Sequence, residues 1–132
     1  MSRLLIHVEG ETEETFVNEV LAPHLHEKGY AQVSARLIGN ARMRDRRGGI
    51  RGWPSVRKDI VHHLRDDRGC LATTMVDYYG LPQTGDKAWP GRAAAGTRFF
   101  VDKAVTVEKE LANDMQAEMG SDFDPHRFVP TS

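Results

Sequence analysis

The sequence contains very little cysteine. Cys70 is the only cysteine among the 132 residues, which excludes an internal disulfide and leaves a cysteine-based zinc site without its partner ligands. A lone thiol suits a reducing compartment, so we expect a cytoplasmic protein. Because Cys70 opens an apolar segment, we expect it to be an inert thiol of the core.

Long apolar runs are also absent. The run at Leu4–Val8 spans five residues, whereas a membrane span needs roughly 20 apolar residues. A chain that is 39% hydrophobic and 28% charged has the composition of an ordinary globular protein. Its length is enough for one core and too short for two. We expect a single domain over residues 1–132 that has no contact with a membrane.

Net charge is nearly absent as well, but the charges are distributed unevenly. The formal net charge is −1, yet ten of the 18 basic residues and only four acids lie between positions 36 and 68. Arginines interspersed with glycines in a loop favour phosphate binding, although a solvated surface is the alternative. The candidate phosphate-binding residues are Arg42, Arg44, Arg46, Arg47 and Arg51, with Arg57 and Lys58 continuing the basic stretch.

Apolar segments alternate along the chain with segments of helical periodicity. This order predicts an α/β fold, with a parallel, doubly wound sheet and helices on both faces. A fourth strand only begins before the sequence stops, so we expect the domain to be incomplete at its C-terminus. The predicted strands are residues 4–8, 33–38, 70–76 and 127–130. The predicted helices begin near Thr12, which we expect to cap the first of them, near Pro54 and near Ala93, and the last extends to Met119. Pro23 is expected to kink the first helix or to divide it into two abutting helices.

A carboxylate-rich turn follows the first predicted strand. Residues 9–14 contain four acids and one glycine, whereas a dinucleotide site would place several glycines there to admit a pyrophosphate. Open α/β sheets bind ligands at the carboxyl ends of their strands. Glu9 ends the first strand, Asp77 ends the third, and Glu13 follows Glu9 by about one helical turn. Clustered carboxylates without His or Cys select Mg²⁺ or Mn²⁺, so this edge is the predicted metal site.

The two motifs together resemble a known family. The segments Val8-Glu9-Gly10-x-Thr12-Glu13-Glu14-x-Phe16 and Asp77-Tyr78-Tyr79-Gly80-Leu81-Pro82 resemble a TOPRIM-like domain, as in topoisomerases, primases and the overcoming-lysogenisation-defect nucleases. More narrowly, nearly the whole chain is similar to the bacterial domain-of-unknown-function family numbered forty-two seventy-six, whose members are short TOPRIM-like proteins.

The resemblance implies a Rossmann-like TOPRIM fold and a function. Glu9 would be the acid-base or metal-positioning residue, Asp77 a metal ligand and Glu13 the additional acid of the nuclease relatives. The chain would then be a Mg²⁺-dependent nuclease or phosphoryl-transfer domain acting on nucleic acid, in phage defence with an ATPase partner. The sequence departs from the family pattern at Tyr79, which replaces the second aspartate of the D-x-D pair, and in lacking the later acidic segment. Asp86 is a candidate substitute.

Each signal also has a simpler interpretation. Glu13 could be an ordinary acid of a helix start, and Asp77 could cap a turn. Trp53 and Trp89 could stack on a base, but packing at the edge of the core is favoured. The departure at Tyr79 leaves a second functional hypothesis open. In it, the domain is a non-catalytic TOPRIM-like module that binds a partner protein, such as an ATPase, or nucleic acid.

Overall fold

The computed structural model describes residues 2–38, 51–96 and 100–131. For Ser2, Phe100 and Val101 only the backbone is described. Within these ranges the chain forms an α/β fold of Rossmann-like type, as the sequence predicts. No helix in the described ranges is long and apolar enough to cross a membrane.

Three parallel strands form the sheet. They are β1 (Ser2–Val8), β2 (Tyr30–Leu37) and β3 (Cys70–Met75), and their spatial order is β2-β1-β3. Strand β1 is therefore central and pairs with both neighbours, with Val8 opposite Leu37 on one side and Met75 on the other. The predicted parallel arrangement is confirmed, and β1 and β3 are neighbours.

The first connection is helical throughout and covers one face of the sheet. It consists of α1 (Glu11–Phe16), a π-helical segment (Val17–Leu21) and α2 (Ala22–Glu27). One detail differs from the sequence prediction: Gly10, not Thr12, is the N-terminal capping position of α1. Of the two alternatives at Pro23, the pair of abutting helices is observed. Pro23 lies in the first turn of α2, where its missing N–H is tolerated, and the wider π turn precedes it.

Alternation along β1 assigns its side chains to two cores. Ile6 and Val8 are buried together with Val17 of the first helical connection and Val33 of β2. Side chains of a strand alternate between faces, so Leu5 and His7 are directed to the other face. That face is covered by α3 (Trp53–Asp66) and α5 (Phe100–Met119), which contribute Val56, Ile60, Leu64, Val107, Leu111 and Met115 to the larger core.

The helix predicted from Ala93 to Met119 is two helices. The short helix α4 (Arg92–Ala95) precedes α5, and residues 97–99 between them lie outside the described part of the chain. Gly91, the N-terminal cap of α4, has a positive φ of 81°, a conformation that strains residues with a Cβ. Helical periodicity alone did not reveal that α4 and α5 are separate helices.

The C-terminal segment extends the sheet beyond β3. Phe128 forms a parallel bridge with Ala72, and Thr131 forms one with Met75. Arg127 fixes this segment, because its guanidinium donates hydrogen bonds to the carbonyl oxygens of Leu64, Asp67 and Cys70. The segment thus occupies the position of a fourth strand, as two bridges rather than a continuous ladder.

A histidine is buried beneath α3. His7 is completely inaccessible to solvent, and its Nδ1 lies 3.3 Å from the carbonyl oxygen of Thr73. Its Nε2 is buried without a hydrogen-bond partner among the described residues. Burial lowers the pKa of His7 to about 4, a shift that nearby His63 and Arg36 reinforce and that the Thr73 carbonyl opposes. The folded state therefore requires a neutral imidazole.

The pKa of His7 predicts a dependence of stability on pH. A histidine with a lower pKa in the folded state binds fewer protons than in the unfolded state between pH 6.5 and about 4. The associated stability should be complete above pH 6.5 and lost as the pH falls toward 4, by about 3 kcal/mol. His7→Asn, which keeps a donor near the Thr73 carbonyl, should remove most of this loss.

Urea unfolding with EDTA at several pH values measures this effect. The matched control is His62→Asn, since the exposed side chain of His62 pairs with Asp66 at the surface. If His7→Asn and His62→Asn lose stability equally steeply between pH 6.5 and 4, another group is responsible.

Candidate metal site at the carboxyl edge of the sheet

The sheet brings Glu9 and Asp77 together. Glu9 follows the last residue of β1, and Asp77 lies two residues beyond the end of β3. Because Val8 is paired with Met75, the two turns leave the sheet side by side. The backbone N–H of Asp77 donates to Oε2 of Glu9 at 3.4 Å. The carboxylate of Glu9 therefore lies directly beside the turn that carries Asp77.

The electrostatic environment of Glu9 is unfavourable for its negative charge. Partial burial raises the pKa of Glu9, and the charges of Glu13 and Asp77 raise it further. The hydrogen bond from the Asp77 N–H lowers the pKa but does not cancel these effects. Ionised Glu9 is thus destabilised in the folded chain, and a cation placed between these carboxylates would relieve the repulsion.

Glu13 is directed back to the start of its own helix. Its Oε2 accepts a hydrogen bond from the backbone N–H of Gly10 at 3.2 Å, which satisfies one of the free donors at the N-terminus of α1. It also lies close enough to Glu9 to affect the pKa of that residue. The helix-start interpretation of Glu13 thus describes its observed contact.

The residues fit Mg²⁺ bound by few protein ligands. Within the described ranges, no group of three or more His, Cys, Asp or Glu residues is arranged to hold a metal ion. Mg²⁺ is commonly held by one or two carboxylates, with waters and substrate phosphate completing its octahedron. Two carboxylates, those of Glu9 and Asp77, lie in neighbouring turns and match the number of protein ligands in that binding mode. Glu13 stays a predicted third ligand. Asp86 is exposed in the short turn Gly85–Lys87.

The turn after β3 is a single turn of 3₁₀ helix, Tyr78–Gly80. Asp77 caps it, since its Oδ1 accepts a hydrogen bond from the backbone N–H of Tyr79 at 3.1 Å. The capping interpretation of Asp77 is thus correct for one oxygen. The side chain remains exposed. Capping and metal binding are compatible, because a carboxylate has a second oxygen.

Arg92 is a residue of this site that sequence reasoning missed. Its guanidinium is buried, donates to the carbonyl oxygen of Tyr78 at 2.9 Å and to the Tyr78 hydroxyl at 3.1 Å, and lies 4.1 Å from the centre of the Tyr78 ring. Arg92 therefore fixes the turn that follows Asp77. Arg92 is the first residue of α4, 14 residues after Tyr78, and no periodic signal in the sequence reveals this contact.

The candidate phosphate-binding arginines are only partly within the described residues. Arg42, Arg44, Arg46 and Arg47 lie outside them. Arg51 is described, and its guanidinium binds Asp59 of α3 at 2.5 Å and Ser55 at 3.3 Å. Arg57 similarly pairs with Asp114 of α5 at 3.1 Å. These two arginines have structural partners within the chain.

The tryptophans pack rather than present free faces. Trp53 and Trp89 are both buried, with ring centroids 5.0 Å apart. The indole N–H of Trp53 donates to Asp114, and that of Trp89 donates to the carbonyl oxygen of Arg51. The favoured packing interpretation is therefore correct. Cys70 is also buried, and burial raises the pKa of its thiol, as expected for an inert core cysteine.

The carboxylate pair predicts that Mg²⁺ stabilises the protein. At a hundredfold excess over its Kd, a ligand that binds only the folded state adds about 3 kcal/mol, which raises the melting temperature of a chain of this size by roughly 10 °C. Glu9→Gln combined with Asp77→Asn should abolish that rise. Because the pKa of Glu9 is raised in the folded state, the double variant without metal should be at least as stable as the wild type.

Thermal unfolding with and without MgCl₂ measures this response. The matched control is Glu19→Gln combined with Asp122→Asn, which removes the same charge at exposed positions and should keep the full rise. An equal Mg²⁺ response in both double variants would place the ion elsewhere.

Comparison with known proteins identifies a matching family. The family described as Domain of unknown function (DUF4276) matches residues 8–131, a range that contains Glu9, Asp77 and the turn held by Arg92. No curated protein and no solved structure matches the chain. The chain belongs to the family Domain of unknown function (DUF4276).

Proposed function

We propose that this chain is a TOPRIM-like, Mg²⁺-dependent phosphoryl-transfer domain of nuclease type that acts on nucleic acid. The observation that carries the proposal is the contact between the Asp77 N–H and the Glu9 carboxylate at the carboxyl edge of a parallel sheet. Two acids from neighbouring strands at this edge form a recurrent position for ligand chemistry. The resemblance of both motifs to TOPRIM domains supplies the reaction class.

Each residue has a distinct role in this proposal. Glu9 and Asp77 hold the cation, which would stabilise the ionised Glu9 that the metal-free chain disfavours. The TOPRIM resemblance also makes Glu9 the candidate acid-base residue. Bound Mg²⁺ would stabilise charge on the phosphodiester and activate a water. Glu13 maintains the start of α1 beside Glu9. Arg42, Arg44, Arg46 and Arg47 are proposed to hold the nucleic-acid backbone, on the basis of sequence alone.

The second candidate function is a non-catalytic TOPRIM-like module that binds nucleic acid or a partner protein. Two observations favour it. Tyr79 occupies the position of the second aspartate of D-x-D, and the residues of the described ranges form no three-ligand metal group. In the first proposal the domain acts with an ATPase in phage defence, and in the second it binds such a partner without cleaving nucleic acid.

Cleavage assays separate the two candidates. If the chain is an enzyme, purified protein should nick nucleic acid in the presence of Mg²⁺ or Mn²⁺. Glu9→Gln should abolish the nicking and leave binding intact, because basic residues hold a phosphodiester but do not activate water. We expect weak cleavage from this chain because Tyr79 replaces a ligand. Binding without any metal-dependent product favours the module, and cleavage that persists in Glu9→Gln contradicts the proposed site.

Phosphate contacts by the arginine-rich stretch predict a steep salt dependence of binding. Replacing Arg44, Arg46 and Arg47 by alanine should reduce the slope of log K against log salt by roughly 0.7 to 0.9 for each lost contact. Fluorescence anisotropy at several KCl concentrations measures the slope. The control replaces Lys28, Arg68 and Lys109, which are exposed elsewhere, and should leave the slope nearly unchanged. Equal slopes in both triple variants would contradict the assignment of these arginines.

A further inference from the structure

An exposed aromatic residue follows Asp77 in the turn after β3. Tyr79 is 62% exposed, although Tyr78 before it and Leu81 two residues after it are buried. Its backbone N–H binds the carboxylate of Asp77, so the ring is two residues from a proposed metal ligand. The proposed roles of Glu9 and Asp77 do not account for an aromatic side chain at this position.

The ring of Tyr79 is held in place by its surroundings. It meets the ring of Tyr78 edge to face, with centroids 4.9 Å apart and an interplanar angle of 90°. Tyr78 is fixed in turn by Arg92, through two hydrogen bonds and a cation–π contact. Burying a guanidinium is costly unless its donors are satisfied, and here those donors hold the base of the Tyr79 turn. The exposed ring is therefore preorganised rather than loosely attached.

A preorganised, exposed ring suits stacking. Aromatic side chains that stand free of the core bind nucleobases through their faces, and each such contact contributes about 1–3 kcal/mol. The face of a base in a duplex is covered by its neighbours, whereas an unpaired or splayed base leaves its face open. A ring that binds a base through its face therefore binds unpaired strands more tightly than duplexes.

We propose that Tyr79 is a stacking platform for an unpaired base, so that the substrate class of the Glu9–Asp77 site is single-stranded nucleic acid. This inference rests on the proposed function and specifies its substrate. The stacked base would place a neighbouring phosphate at the edge where Glu9 and Asp77 lie. Tyr79 is thus a specificity-determining residue. Its aromatic ring binds the base, whereas Glu9 and Asp77 hold the cation.

Three variants at this position test the proposal. With a labelled oligodeoxythymidine strand in MgCl₂, Tyr79→Ala should weaken binding about tenfold. Tyr79→Phe should bind within about twofold of the wild type, since its ring is kept. Tyr79→Leu should bind as weakly as Tyr79→Ala, because it keeps apolar area without an aromatic face. The same strand annealed to oligodeoxyadenosine should be bound equally by all variants.

Two controls accompany the series. Val105→Ala, at a 57% exposed position on α5, should leave binding to both probes unchanged. The Mg²⁺-dependent rise in melting temperature should persist in all Tyr79 variants, which verifies that they fold and retain the carboxylate pair. Replacing one thymidine by 2-aminopurine adds a direct readout, since stacking on Tyr79 should quench its fluorescence in the wild type and not in Tyr79→Ala.

The inference is overturned if Tyr79→Ala binds the single strand as well as the wild type, if Tyr79→Leu binds like Tyr79→Phe, or if the duplex loses affinity in parallel. These results leave the proposed function standing where Mg²⁺ stabilisation still depends on Glu9. If the wild type binds neither probe, the nucleic-acid function and the stacking platform both fail.

Discussion

Strand β1 is paired along both edges, and this constraint determines where the acidic side chains lie. A central parallel strand is fixed in register by two neighbours at once, so the residue that follows Val8 leaves the sheet beside the residues that follow Met75. If β3 paired with β2 instead, β2 would lie between β1 and β3, and the turns of Glu9 and Asp77 would leave the sheet two strand spacings apart, roughly 10 Å. The candidate site is thus a consequence of the strand order.

The same edge is unfavourable for the charge of Glu9. Ionised Glu9 is partly buried and lies near two further carboxylates, and its pKa is raised first by the burial and then by the repulsion. Proteins commonly retain such strain where a ligand relieves it. His7 differs from Glu9, because it is fully buried in the core and its lowered pKa keeps it neutral. The sheet thus tolerates a buried polar side chain that carries no charge.

Periodicity predicted the sheet and most helices correctly because strand β1 and helix α3 each present one uninterrupted pattern. It did not predict the break between α4 and α5, since the apolar residues of both keep helical spacing. The sequence prediction also placed the N-terminal cap of α1 at Thr12, whereas Gly10 occupies that position. Arg92 was missed for a different reason: both of its acceptors belong to Tyr78, 14 residues earlier, and only the tertiary structure brings the first residue of α4 to that ring.

Tyr79 links these observations. A carboxylate at this position would add charge to an edge where Glu9 already resists ionisation, whereas a tyrosine adds none. Arg92 holds the adjacent Tyr78 through neutral acceptors, so this arginine does not neutralise the carboxylates by direct pairing. The edge therefore combines two acids that can share a cation with a fixed aromatic face beside them. That combination suits a ligand that contains both a phosphate and a base. The acids alone or the aromatic face alone would recognise such a ligand less well.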